Sequence, residues 1–230
     1  VFKFYGAKRR LAPQYPAPQL RTIVEPFAGA AGYAVHHRRS VDRVILVERD
    51  DRVADLWVHL LGLSTAEILA RPTPTAGEWC DDLLVAFAAG RTTRDTPALF
   101  RVTERMAARF DPMIRHLAEV IDDCRHFEVV HGDYRDAPDI EATWFIDPPY
   151  QAGAGRWDRT RGGRYTHSNR DIDFSELSDW VQARRGQVIA CDQEGADWLP
   201  WNGRIATVAS SKRSYDELYW HRPSVMLPVS

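Results

Sequence analysis

Thr143-Trp144-Phe145-Ile146-Asp147-Pro148-Pro149-Tyr150 is an apolar run that stops at an acid, two prolines and a tyrosine. The run before Asp147 is almost continuous in apolar character instead of alternating, which is how a strand covered on both faces reads. Outward from it the same kind of run recurs at Arg21-Thr22-Ile23-Val24, Val44-Ile45-Leu46-Val47, Phe127-Glu128-Val129-Val130 and Gln187-Val188-Ile189-Ala190-Cys191. Stretches of helical period lie between them. Val53, Leu56, Trp57, Leu60 and Leu61 follow Asp50 and Asp51 as cap candidates, Ile114, Leu117 and Ile121 follow an Asp111-Pro112 helix start, and Phe174, Leu177 and Val181 repeat the spacing. Strand alternating with helix implies an α/β domain with a mostly parallel sheet and helices on both faces. Arg204 to Val208 and Glu217 to Trp220 read as closing antiparallel strands, with a further short run at Ser224 to Val229.

Ligands of such sheets sit at the carboxyl ends of the strands. Glu25, Glu48, Asp133, Asp147 and Asp192 each stand at or just beyond one of those ends, so the sheet gathers five carboxylates along one edge. Such an edge suits a cationic ligand or one rich in hydroxyl and amino donors, and suits a phosphate-rich one poorly.

The 230 residues allow one main core with a small insert. Residues 71–111 break the strand-helix rhythm: a Pro72-Thr73-Pro74-Thr75 loop, a helix marked by Trp79, Leu83 and Phe87, and the arginine-rich Arg91 to Arg109. They form the expected small helical insert, with the catalytic domain in two parts, 1–70 and 112–230. With 30 basic against 32 acidic side chains, affinity for a polyanion must come from local asymmetry. Two basic stretches offer it: Val1 to Val24, and Gln151 to Arg170, where Arg156, Arg159, Arg161, Arg164 and Arg170 face Asp158 alone. Apolar runs fall far short of the ~20 residues that span a bilayer, and Val1 to Arg10 lacks the apolar centre of a secretory signal. Cys80, Cys124 and Cys191 show no motif spacing and suit a reducing cytoplasm. His36 and His37 are the only close histidine neighbours, and adjacent residues rarely share one metal, so no metal site is expected.

The Asp147-to-Tyr150 turn carries the most specific chemistry. Its prolines supply no backbone donor, which leaves the carbonyls of Asp147 and Pro148 free to accept hydrogen bonds beside the Asp147 carboxylate. An exocyclic amino group on a flat base fits that clamp, with its two N–H groups on acceptors and Tyr150 stacked on the ring. The second signal is Glu25-Pro26-Phe27-Ala28-Gly29-Ala30-Ala31-Gly32, which closes one strand and opens a helix over Tyr33 to Arg39. Small residues there let a ligand approach the backbone, and Glu48, about twenty residues on, can accept both hydroxyls of a ribose.

These segments resemble the Dam-like family of DNA adenine-N6 methyltransferases, along the length of the chain. Phe4-Tyr5-Gly6-Ala7-Lys8-Arg9 is similar to the family's amino-terminal cofactor motif, Glu25 to Gly29 to its S-adenosylmethionine loop, and Glu48 to its ribose-binding acid. His131-Gly132-Asp133-Tyr134 is similar to the segment that meets the cofactor's adenine, Asp147 to Tyr150 to the catalytic tetrapeptide, and Ser211-Lys212-Arg213 with Glu217 to Trp220 to the closing hairpin. The chain departs at Ala31, where many relatives have glycine and this one has Gly32 a place later, and in its short insert.

The resemblance implies a Rossmann-like methyltransferase fold and base-flipping transfer of a methyl group from S-adenosylmethionine to adenine N6 in double-stranded DNA. Asp147, Pro148, Pro149 and Tyr150 would be catalytic. Phe4, Tyr5, Lys8, Glu25, Pro26, Phe27, Gly29, Glu48, Asp133, Tyr134 and Asp147 would line the cofactor, with Lys8 on its methionine carboxylate or on a DNA phosphate. Arg94, Arg101 and Arg105 of the insert, with Arg156, Arg159, Arg161 and Arg164, would contact DNA. A cognate restriction endonuclease is a further expected partner. Competing readings are methylation of RNA adenine or of cytosine N4, and a silent DNA-binding relative.

Overall fold

The computed structural model describes residues 2, 8–91, 93–94, 96–151, 166–207 and 215–225. Seven strands form one sheet: β1 (Thr22–Glu25), β2 (Arg43–Glu48), β5 (Phe127–His131), β6 (Glu141–Ile146), β7 (Arg185–Gln193), β8 (Gly203–Thr207) and β9 (Tyr215–Arg222). Their order is β5-β2-β1-β6-β7-β9-β8; the first five pair in parallel, and β9 runs antiparallel to both β7 and β8. The expected α/β, Rossmann-like arrangement with a closing antiparallel hairpin is what the chain adopts.

The continuous apolar runs have a direct cause. Ile23, Val44, Leu46, Phe145 and Ile189 face one hydrophobic cluster, while their neighbours Val24, Ile45, Val47, Trp144, Ile146 and Val188 face a second on the other side of the sheet. Both faces are dry, so alternation is lost. The first cluster also holds α1 (Gly32–His37), α2 (Asp51–Gly62), α3 (Thr65–Leu69), α4 (Leu83–Ala88) and α5 (Glu104–Ile121); the second holds α6 (Phe174–Gln182) with Trp198 and Leu199. Asp50 caps α2 by accepting from the Arg52 N–H, as its position suggested.

Two readings of the sequence are corrected. The helix expected to start at Asp111-Pro112 starts at Glu104, where the Thr103 hydroxyl accepts from the Met106 N–H. Met106, Phe110, Met113 and Leu117 make one buried stripe through the proline. Pro112 and Ala108 are both exposed, so the carbonyl that loses its partner can turn to water. The boundary expected at residue 111 therefore falls inside a continuous helix. Trp79, expected on a helix, lies in a two-stranded antiparallel ribbon, β3 (Trp79–Cys80) with β4 (Phe100–Arg101), and is 62% exposed. The insert is thus not purely helical, and α4, buried at all six of its positions, belongs to the main core. Among the described residues no helix is long and apolar enough to cross a membrane.

Candidate active site

Strand order reverses between β1 and β6: β2 and β5 lie to one side, β7 and β9 to the other. The loops leaving β1 and β6 must diverge there, which opens a crevice at the carboxyl edge. A cleft occupies it, lined by Lys8, Glu25 to Gly32, Glu48 to Asp50, Thr93, Asp133, Tyr134, Phe145, Asp147, Pro149, Thr166 to Ser168 and Ile172.

The loop after β1 is held by its backbone. Gly29 and Ala31 both adopt left-handed conformations with φ of 48°; glycine does so at no steric cost and alanine does not. The Gly29 N–H donates to Glu48 Oε2 at 2.7 Å, and its carbonyl accepts from Trp57 Nε1 at 2.8 Å. A Cβ at Gly32 would lie 2.8 Å from the Arg9 backbone nitrogen and 2.9 Å from that of Lys8. The shifted glycine therefore has a use: it lets the segment that carries Lys8 press against the start of α1. The strain of turning the loop falls on Ala31.

Four of the five strand-end carboxylates line the cleft, and each is engaged differently. Glu25 is buried and accepts from the Ala34 N–H in the first turn of α1; burial pushes its pKa up to about 8. Glu48 accepts from the N–H groups of Gly29 and, at 2.9 Å, Asp50, and burial raises its pKa to about 7. Asp133 caps the turn after β5 and takes Arg135 Nη1 at 2.7 Å. The Tyr134 ring beside it stacks on Phe27 at 5.4 Å with 28° between planes, and the Arg135 guanidinium lies 4.5 Å from its centre.

Asp147 has side-chain partners instead. Its Oδ1 accepts from Lys8 Nζ at 2.7 Å and from the Cys191 thiol at 3.3 Å. Lys8 is 5% exposed; burial opposes its charge, but Asp147 and Glu217 outweigh that and hold its pKa well above the lysine range. Its ammonium lies 4.7 Å from the centre of the Tyr150 ring and 3.8 Å from Glu217 Oε1. Lys8 was expected on the methionine carboxylate or a phosphate; among the described residues it donates to Asp147. The fifth carboxylate, Asp192, is absent from the cleft wall. It is fully buried, accepts from Trp198 Nε1 at 2.7 Å and from the Gln151 N–H at 3.1 Å, and so anchors the chain leaving Tyr150. Burial lifts its pKa to about 6.

The structure brings Lys8, Glu25, Pro26, Phe27, Gly29, Glu48, Asp133, Tyr134, Asp147 and Pro149 to one cleft. Pro148 is buried beneath it, and the Tyr150 carbonyl is fixed by Asn169 Nδ2 at 2.8 Å. Phe4, Tyr5, Arg156, Arg159, Arg161, Arg164 and the Ser211-Lys212-Arg213 segment lie outside the described residues. Arg94, Arg101 and Arg105 are exposed, and the Arg101 guanidinium covers the Trp79 ring at 5.2 Å. Sequence reasoning missed Cys191 and Glu217 as neighbours of Lys8, and missed Thr93 and Thr166. The last two meet at 2.7 Å between hydroxyls, Thr93 also donating to Asp50, and they close the cleft from the insert side.

No protein-family model matches the chain, and no curated protein matches it. Among solved structures it is similar to the rRNA methyltransferase AviRa of Streptomyces viridochromogenes, at 15% identity over 92% of this chain and 80% of that one, with a TM-score of 0.43. It is similar to a protein of Pseudomonas syringae described as a methyltransferase, at 14% identity over 94% and 96% with a TM-score of 0.43. The YhhF protein of Escherichia coli, described in the same way, gives 12% identity over 94% and 82% with a TM-score of 0.41.

Proposed function

We propose that this chain transfers a methyl group from S-adenosylmethionine to the N6 amine of adenine in double-stranded DNA, acting on a base flipped out of the helix. The observation that carries the reading is that one cleft is walled both by Glu48, Phe27 and Tyr134 and by Asp147 and Pro149. The first group suits a nucleoside: a carboxylate for ribose hydroxyls, and the half-buried Phe27 ring, backed by Tyr134, for a purine face. Glu25, Pro26 and Gly29 form the wall along which the rest of the cofactor would lie. S-adenosylmethionine, when bound, supplies a sulfonium-activated methyl group.

The second group suits the acceptor. The adenine amine is a poor nucleophile because its lone pair is delocalised into the ring. Asp147 and the Pro148 carbonyl can each accept one of its N–H bonds, which favours a pyramidal nitrogen whose lone pair points away from both acceptors. Holding that nitrogen in line with the donor carbon supplies the remainder through positioning. No separate base is required, since the proton becomes acidic only after the methyl has moved, and Asp147 or water can take it. Flipping the base costs a few kcal/mol, offset in part by stacking on Tyr150. The exposed Arg94, Arg101 and Arg105 would meet DNA phosphates or base edges, and Arg156, Arg159, Arg161 and Arg164, which follow the clamp closely in sequence, would add charge.

The test is transfer of labelled methyl groups to defined DNA and RNA duplexes and to cytosine-only targets, followed by mapping of modified adenines in DNA from cells that express the chain. N6-methyladenine in a fixed DNA sequence context supports the reading. Label confined to RNA or to cytosine, or none at all, overturns it.

A further inference from the structure

Resting on the methyl-transfer reading above, we infer that Glu217 is a second seat for the Lys8 ammonium, occupied when a substrate amine displaces Lys8 from Asp147. Glu217 lies on β9, the strand between β7 and β8, is 1% exposed, and its Oε1 accepts no hydrogen bond among the described residues. A buried carboxylate oxygen left without a donor is costly and calls for a state in which it is satisfied. The donor is close at hand. Lys8 Nζ stands 2.7 Å from Asp147 Oδ1 and 3.8 Å from Glu217 Oε1, so a movement of about 1 Å at the end of a flexible side chain brings it to the ~2.8 Å of a charge-assisted hydrogen bond.

The reaction supplies a reason for the movement. Asp147 Oδ1 takes both the Lys8 ammonium and the Cys191 thiol, so an amine that reaches this oxygen must displace a donor. As the methyl group arrives, the substrate nitrogen becomes cationic, and two cations at one carboxylate repel each other. With Lys8 on Glu217, Asp147 serves the substrate alone and no buried charge is left unpaired. Among the described residues, the groups that act on the ammonium include Asp147, Glu217, Tyr150, Cys191 and Glu25; Glu25 is held by the Ala34 N–H, whereas Glu217 keeps an oxygen with no donor among the described residues. Glu217 is therefore a positioning residue, acting through Lys8.

The chain has only three lysines, Lys3, Lys8 and Lys212, so the Lys8 ammonium can be followed by NMR in protein labelled with 15N-lysine. Asp147→Asn removes the charge from the first seat without any substrate. Lys8 ammonium protons are expected to exchange no more than about threefold faster in that variant than in the wild type, and at least about tenfold faster once Glu217→Gln is added. If Asp147→Asn alone loses protection as fully as the double variant, Glu217 does not receive Lys8 and the inference is overturned. Asp147→Ser gives the same comparison should the asparagine variant not fold. This readout needs no turnover, so it stands or falls independently of the enzymatic reading. In the active protein, Glu217→Gln is expected to lower kcat by about tenfold or more while KM for cofactor and DNA changes by less than about twofold, and Glu217→Asp to recover part of the rate. An unchanged kcat in Glu217→Gln, or a loss that falls on KM instead, overturns the inference.

Discussion

The two walls of the cleft use the same residue type in opposite ways. On the wall formed after β1 and β2, Glu25 and Glu48 accept from backbone N–H groups only 9 and 19 residues away. On the wall formed after β6, Asp147 takes side chains 139 and 44 residues away, Lys8 and Cys191. A backbone donor cannot leave without unmaking its turn, whereas a lysine can swing away by rotating its own bonds. The first wall is built to hold one shape, and the second to exchange partners. Binding and chemistry should therefore fail separately.

The largest effect is expected from Asp147→Asn, which should cut methyl transfer at least about 100-fold while S-adenosylmethionine still binds by calorimetry. A variant that keeps more than about a tenth of the activity would remove Asp147 from the chemistry. Phe27→Ala is the converse: it should weaken cofactor binding by about 10 to 100-fold, the ~1–3 kcal/mol of a lost base stack, whereas Tyr150→Ala should spare cofactor affinity and lose turnover. Equal losses in both assays for both variants would erase the distinction between the walls.

Acidity sharpens the comparison next. Glu48 in the free protein ionises near pH 7, so affinity for a ligand that donates hydroxyls to its carboxylate should rise about tenfold per unit as pH climbs towards 7 and level off above it, and Glu48→Gln should flatten the curve. Stability moves the other way. Glu25 and Glu48 keep their protons in the folded state up to about 8 and about 7, against 4.5 when unfolded, so the folded chain binds more protons across that window. Raising the pH from about 5 to 8 should therefore lower the free protein's denaturation midpoint, and a midpoint that rises instead would mean these acids are ionised when folded. Gly32→Ala should cost about 1–3 kcal/mol by pushing the Lys8 segment off α1, seen as a lower melting temperature. The smallest effect is Ala31→Gly, which relieves a left-handed alanine and should gain at most about 1 kcal/mol in chemical denaturation.

The sheet was legible because its central strands are apolar on both faces and each stops at an acid or a turn. The Asp147-to-Tyr150 turn and the loop from Glu25 to Gly32 were legible because few sequences place those residues after a buried strand. Other features could not be read from local pattern. Pro112 favours a helix start, and only the buried stripe from Met106 to Leu117 shows that the helix runs through it. A two-residue strand at Trp79 has no period to detect. Asp192 and Asp147 look alike as acids ending strands, yet one anchors a loop beneath the surface and the other faces the cleft. The meeting of Lys8, Asp147 and Glu217 depends on three segments that only the finished sheet brings together. Its one trace in the sequence is an acid on β9 sharing the inward phase of Tyr219.

That meeting also sets when the protein can become competent. Lys8 leaves the ribosome some two hundred positions ahead of β9. A nascent or truncated chain that ends before Glu217 can fold the loop after β1 and still lack the third member of that meeting. Separately produced fragments divided between α6 and β7 should accordingly be inactive alone in the methyl-transfer assay and regain activity only on reassociation.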